Sequence, residues 1–370
     1  RSTAIRQIAA RSSQVVDLIL DVPNDAAPVM FQSILRFGQE EFSKAFKVVP
    51  PVRASVVLPN GQRETLLLTL TNNLPERVTL MASVTLDKAW KSKSKRAATV
   101  TLAPYETRRV PIAAHLGGYT AENQLYPVKV RLECEGFVSE FQRDFYVGIA
   151  HYASAVPFLD GSWRGWNKAN PMTIDKPSQI HKLLLGNQPW GGLDDLSARI
   201  YVMYDKRFVY VGAEVRDQTN FTTWNFPMMS YPLDADCMEV VLDTRTGADQ
   251  GSDPPTPGLF RHLSMAEYRR TEFPKELWRG GGAGGPLLPK PLLVQNAETY
   301  YHKTATGYSL ICRYPLASLR GLVAKPGYKI GFDVAVNDND GTTYRKNTHI
   351  WAGYTSNQSW WDMGTIGALI

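Results

Sequence analysis

Two groups of residues come nearest to a recognisable chemistry. Asp217, Asp234 and Asp236 form one, and the run Asn337-Asp338-Asn339-Asp340-Gly341 forms the other. Both supply the hard oxygen ligands that suit calcium, yet neither completes the spacing of an EF-hand loop. Turn formation competes with metal binding for the second run, because Asn and Asp tolerate left-handed backbone. The 35 acids of the chain make paired carboxylates easy to find, but no stretch gives two of them the setting of a glycosidase acid and nucleophile. There is no Gly-x-Ser-x-Gly elbow and no His-Glu-x-x-His, so no catalytic motif lies within these residues. Cys134, Cys237 and Cys312 are too far apart for a zinc site or a dense disulfide framework, and three buried thiols are expected.

Composition narrows the classes further. With 370 residues and 44% of them apolar, the chain has material for two or three domains, each with its own core. No run of eighteen apolar residues exists, which predicts no membrane span. The formal charge of +6 favours anionic partners, but part of it sits in Lys88, Lys91, Lys93, Lys95 and Arg96. That run reads either as a solvated hairpin loop or as a contact for an acidic or sulfated glycan; no nucleic-acid motif accompanies it. Arg1-Ser-Thr-Ala-Ile-Arg lacks a signal architecture, so either a signal was removed or the chain is a piece of something longer.

The elements that must position these residues are strands. Ile200, Val202 and Tyr204 alternate with other residues, as do Phe208 and Tyr210 beyond a tight Asp205-Lys206-Arg207 turn, and this predicts a hairpin over about 197–217. After a long loop bearing Trp224, a third strand spans Asp236 to Asp243, with Met238, Val240 and Leu242 on one face and Cys237, Glu239 and Val241 on the other. The three together read as the middle of one antiparallel sheet. Ala297 to Lys303 and Gly307 to Tyr314 predict another hairpin, and Tyr328 to Val336 and Thr348 to Gly353 the last long strands. Gln188-Pro189-Trp190-Gly191-Gly192 reads as a surface turn.

Upstream, seven short strands between residues 51 and 147, divided by turns such as Pro59-Asn60-Gly61, reach the count of an immunoglobulin-like sandwich. Pro28-Val29, Phe42, Phe46 and Val48 fall at the spacings of Pro127-Val128, Phe141, Phe145 and Val147, an internal repeat of about fifty residues. The expected organisation is therefore all-β, in tandem β-sandwiches. Residues 1–49 are the C-terminal half of an immunoglobulin-like sandwich, 50–148 an immunoglobulin-like sandwich, and 149–370 a larger one. A competing arrangement has residues 1–49 lending strands to the next domain. Val147 to Pro157 reads as a short linker, too apolar for a floppy tether, which suggests docked neighbours.

The order of pieces from Leu159 onwards is informative. Leu159-Asp160-Gly161 with Trp166, the Tyr204 to Val211 hairpin, Asp236…Glu239…Asp243, Ile330 to Asp338, His349-Ile350-Trp351 and Gly367-Ala-Leu369 together resemble the family nine carbohydrate-binding modules, within the DOMON-like β-sandwich group. The likeness covers about residues 155 to 370. It implies a sugar slot between two tryptophans, with a Glu, an Arg and an Asn gripping hydroxyls. A sugar's flat C–H faces and ring of hydroxyls need that combination of aromatic platforms and planar polar groups.

Carried onto this sequence, the resemblance assigns Glu239, Arg261, Asn357 and Trp360 to carbohydrate binding. The second tryptophan is missing: Leu233 stands after Pro232, where it should be, and Trp224 or Tyr231 in the same loop could replace it. It also implies a structural calcium somewhere in the module and assigns no other cofactor. Plainer roles compete: Glu239 paired with Arg261 as a structural ion pair, and Trp166 and Trp351 in the core. The expected function is a non-catalytic carbohydrate-binding and spacer region. It would belong to a secreted or cell-envelope glycoside hydrolase or polysaccharide lyase, with a polysaccharide or oligosaccharide and the parent catalytic domain as partners. Two alternatives stay open: structural scaffold domains without sugar affinity, and a haem-binding DOMON-like redox module using Met228, Met229 or His262.

Overall fold

The computed structural model describes residues 29–37, 40–61, 65–87, 90, 96–114, 124–181, 189–220, 235–246, 259–265, 297–319, 321–341, 347–352 and 367–369. These residues are built almost wholly from strands, with two single-turn 3-10 segments at Pro177–Gln179 and Leu316–Ser318. Among them, no helix is long and apolar enough to cross a membrane.

Strands β1 (Val29–Phe37) and β2 (Glu40–Val48) pair with each other and with no other described strand. The first sandwich follows. One sheet has the order β3 (Val52–Val57), β4 (Thr65–Asn72), β7 (Thr107–Ala113). Facing it are β6 (Arg96–Leu102), β5 (Val78–Leu86), β8 (Leu125–Cys134) and β9 (Phe137–Gly148), adjacent in that order. Period-two alternation drives the assembly: Leu66, Leu68 and Leu70 meet Leu80, Val84, Val130 and Leu132 in one buried cluster. Each such side chain contributes roughly 1.5–3 kcal/mol on leaving water. The repeat is visible as two hairpins of different register. Phe31 opposes Phe46 in the first, whereas Phe145, the counterpart of Phe46, opposes Tyr126.

The second sandwich packs two larger sheets. In one, β10 (Ala150–Tyr152), β13 (Leu196–Tyr204), β14 (Phe208–Asp217), β18 (Gly307–Pro315) and β17 (Glu298–Thr304) are neighbours in order, and β11 (Met172–Ile174) also pairs with β13. The other is centred on β19 (Ile330–Asp338). It pairs on one side with β15 (Cys237–Asp243), itself paired with β16 (Leu259–Met265). On the other side lie β20 (Asn347–Ile350) and β21 (Gly367–Leu369), with β12 (Ile180–His181) beyond β20. The core between the sheets joins Ile200, Val211 and Leu310 to Val240, Phe332 and Trp351.

The hairpin at 196–217 is as expected, and Asp205 makes its turn by accepting the backbone N–H of Arg207 (2.6 Å) and Phe208 (2.7 Å). Its third strand is not. β15 crosses to the opposite sheet, because alternation fixes which face of a strand is apolar but not which sheet receives it. In the surface turn before β13, Pro189 and Gly191 are exposed, and Trp190 is half-buried: it packs against the core and donates its indole N–H to Leu196 O at 2.9 Å. Trp166 is buried on the outer face of the β13–β14 sheet beside Trp163, and Gly212 permits their approach, since a Cβ there would lie 2.8 Å from Trp163.

The two sandwiches share a sheet. Ala368 and Leu369 of β21 pair in parallel with Val147 and Gly148 of β9, joining both domains into one ten-stranded sheet. The segment read as a linker is thus the end of β9 followed by β10, which pairs in parallel with β13. The β3–β4 turn closes the seam from the other side. Asn60 Nδ2 donates to Asp243 O and Arg245 O, both at 2.8 Å, and Gly61 N to Lys329 O at 2.7 Å.

Candidate functional site

Strand alternation in β15 sends Met238, Val240 and Leu242 into the core and leaves Cys237, Glu239 and Val241 on the other face. Register then fixes their neighbours. Glu239 lies opposite Leu263 on β16 and Ala335 on β19; Val241 lies opposite Arg261 and Asp333; Cys237 lies opposite Asn337. Asn337 in turn lies opposite Thr348 of β20. Arg261 is therefore two residues along β16 from the partner of Glu239. Of the remaining sequence-assigned sugar residues, Asn357 and Trp360 belong to the segment that leaves β20 after Ala352 and returns at Gly367, beside Phe332. Trp224 and Tyr231 belong to the segment between Asn220 and Ala235; all four, and Leu233, lie outside the described residues. The topology thus places Glu239 on β15 and Arg261 on neighbouring β16, while the Asn357/Trp360 segment departs from β20 and returns at β21, with β19 lying between them and β15.

This face is polar and covered. Glu239 is 1% exposed and Asp333 2%, so both carboxyls need internal partners. Glu239 has Asn337, whose Nδ2 donates to Oε1 at 2.6 Å. Asp333 Oδ1 accepts the N–H of Val334 (2.8 Å) and of Ala352 (3.3 Å). Burial pushes the Asp333 carboxyl from an ordinary 3.8 up to about 7, only partly offset by those two backbone donors. Its proton therefore contributes stability that is complete below about pH 4 and is lost as pH rises through about 7. Asp333→Asn keeps the acceptor and cannot ionise. It is expected to melt higher than the parent at pH 8 by the equivalent of a few kcal/mol at most, with the gap closing towards pH 4. Thermal melts at both pH values check this, and a gap independent of pH would contradict it.

A second cluster unites the two acidic groups read from the sequence. Asp217 at the end of β14, Asp236 just before β15 and Asp338 at the end of β19 place carboxylate oxygens within 4.8 Å of one another, and Asp195 and Asp340 form a second such set with Asp338. Asn337 and Asp338 are thus buried strand residues, not turn formers. Asp234 lies outside the described residues. Asp217 Oδ2 is buried without a hydrogen-bond partner among the described residues. Burial first, and the charges of Asp340 and Asp195 after it, push the Asp217 carboxyl up to about 6. Three buried, mutually close carboxylates are the donor set of a hard divalent cation. Sequence reasoning missed Asp195, which precedes β13 and belongs to neither acidic group.

Cys134, Cys237 and Cys312 are thiols outside any disulfide among the described residues, with Cys237 and Cys312 buried and Cys134 partly so. Of the residues considered for haem, His262 lies on β16 opposite Val240, and Met228 and Met229 lie outside the described residues.

Tandem β-sandwiches with a ladder of polar residues on one sheet face define the class as an all-β, multi-sandwich protein. Residues 163–370 match the family described as carbohydrate family 9 binding domain-like, and the chain belongs to that family. Similar solved structures include a family 9 carbohydrate binding module from Caldicellulosiruptor kristjanssonii in complex with cellotriose. It shares 17% identity over 60% of this chain and 92% of that one, at a TM-score of 0.38. A structure from the same organism in complex with glucose shares 16% identity over 60% and 94%, at 0.37. A Bacteroides uniformis β-glucuronidase shares 17% identity over 26% of this chain and 13% of that one, at 0.19. No characterised protein sequence matches the chain at a significant level.

Proposed function

We propose that residues 163–370 bind a polysaccharide or oligosaccharide on the outer face of β15, β16 and β19. Glu239 and Arg261 grip hydroxyls from the strands, Asn357 and Trp360 add an amide and an aromatic platform, and Trp224 or Tyr231 stands in for the tryptophan replaced by Leu233. The observation that carries this reading is the position of Glu239. It is a strand carboxylate in the family-matched region, two residues from the register of Arg261 and separated by β19 alone from β20 and β21, between which the Asn357/Trp360 segment runs. The seven-stranded sandwich of residues 52–148 serves as an immunoglobulin-like spacer. The whole is an accessory region of a secreted or cell-envelope polysaccharide-acting enzyme.

A hydrogen bond from a sugar hydroxyl to a carboxylate is worth more than one to a neutral amide. Glu239→Gln is accordingly expected to weaken oligosaccharide binding about 10- to 100-fold, measured by isothermal titration of the 370-residue chain with glucose, cellotriose and an acidic oligosaccharide. The absence of saturable heat with every member of a broad neutral and acidic panel would sink the reading. The burial of Glu239 favours a second one, in which this face is structural and the sandwiches scaffold a catalytic domain. That reading expects no sugar affinity, and a loss of stability alone from Glu239→Gln.

A further inference from the structure

Glu239 does not stand alone on its strand. Asn337 Nδ2 reaches its Oε1 at 2.6 Å and lies 3.0 Å from Cys237 Sγ, while Thr348 Oγ1 donates to Asn337 Oδ1 at 2.8 Å. Glu239 is 1% exposed, and Asn337 and Thr348 are fully buried. The amide nitrogen of Asn337 faces Glu239 and donates to it. The amide oxygen must then face β20, where it can only accept, so the Thr348 hydroxyl must donate. One polar chain therefore runs Thr348 to Asn337 to Glu239 across three adjacent strands, β20, β19 and β15, with each link fixed by backbone register.

We propose that Asn337 and Thr348 are positioning residues for sugar recognition. They hold the Glu239 carboxylate in one orientation before the ligand arrives, and neither touches the sugar. This rests on the reading of Glu239 as a sugar-gripping residue. A glutamate has three rotatable bonds, and a site that must order it on binding loses affinity to that cost. The Asn337 bond fixes the carboxylate's rotamer, and Thr348 stops the amide from flipping to present its oxygen to a carboxylate. The chain is thus a preorganisation device, in which the outermost member acts through two others.

The test is a double-mutant cycle read by titration of the 370-residue chain with cellotriose, or with whichever member of a panel of neutral and acidic trisaccharides binds the parent tightest. Thr348→Val is expected to weaken binding about tenfold in the parent and less than about twofold in a Glu239→Gln background; Thr348→Ser should bind within about twofold of the parent. Thr348→Val will also cost stability, because it leaves a buried amide oxygen without its donor. A merely structural role would lower stability equally in both backgrounds and would not couple affinity to Glu239. Equal weakening in both backgrounds, or parent-like affinity for Thr348→Val, overturns the proposal while leaving Glu239 in the site. If Glu239→Gln binds like the parent, or the parent binds no saccharide, the underlying reading falls and the proposal with it.

Discussion

Replacing Asn60 with alanine is expected to destabilise both sandwiches together, by roughly 3–5 kcal/mol, although Asn60 lies in a turn of the first and far in sequence from the strands it contacts. The amide donates to the carbonyls of Asp243, the last residue of β15, and Arg245, two residues beyond it. Its removal strands two buried acceptors, each costing roughly 1–3 kcal/mol. The Asp243–Arg245 ion pair, with both side chains 1% exposed, depends on the same backbone. A buried pair is costly to disturb because the charges lose partners without regaining water. On the far side of the seam the parallel pairing of β9 with β21, the edge contact of Tyr146 on Trp351 at 6.0 Å, and the Trp351 indole N–H donated to Gln124 Oε1 at 3.2 Å bind the domains again.

Urea unfolding followed by tryptophan fluorescence and far-UV circular dichroism measures the effect. Of the nine tryptophans only Trp90 precedes residue 150, so fluorescence reports chiefly on the second sandwich. The two probes should share one midpoint in the parent and shift together in Asn60→Ala. A fluorescence midpoint that stays in place while dichroism moves would mean that the seam transmits nothing.

Strands were legible in the sequence where apolar and polar residues alternate and mark the face that turns inward, as in β3, β5 and β8; β19 alternates in residue type although both its faces are buried. What alternation cannot carry is partnership. The crossing of β15 to the second sheet, the sharing of a sheet by β9 and β21, and the role of Asn60 are decided by contacts between residues far apart in the sequence. Pro59-Asn60-Gly61 was readable as a turn, and it is one, with Gly61 at a φ of +79°, but nothing local tells that its amide closes a domain seam. Glu239 was singled out through family resemblance, whereas Asn337 looked like the start of a turn. Only register puts Asn337 opposite Cys237 and Thr348. Pro189 and Gly191 describe an exposed backbone around Trp190, while its side chain leans onto the core.

Calcium is expected to raise the melting temperature of the chain over that of the chelated protein by roughly 5–10 °C at a hundredfold excess over its dissociation constant. A ligand at that excess adds about 2.7 kcal/mol, and a domain of this size moves roughly 2–4 °C per kcal/mol. The argument is electrostatic. Asp217, Asp236 and Asp338 arrive from β14, from the lead into β15 and from the end of β19, so folding alone forces three carboxylates together away from water. Either protons or a cation must neutralise them. The raised carboxyl of Asp217, at about 6, gives the sign. Without metal, the proton on Asp217 contributes stability below its ordinary value near 4 that is lost as pH rises through about 6, and there the cation takes over. The calcium-induced shift should therefore be larger at pH 8 than at pH 5.

Asp236→Asn isolates the charge. Its amide oxygen can still accept the Asn339 N–H now held by Asp236 Oδ1 at 2.8 Å, so the turn after β19 keeps its anchor while the site loses a ligand charge. The variant should fold, melt close to the chelated parent and show little response to calcium. Identical melting of the parent with calcium and with chelator at pH 8 would leave protons as the only neutralising charge, and the acidic cluster would then be a pH-dependent weak point of the fold.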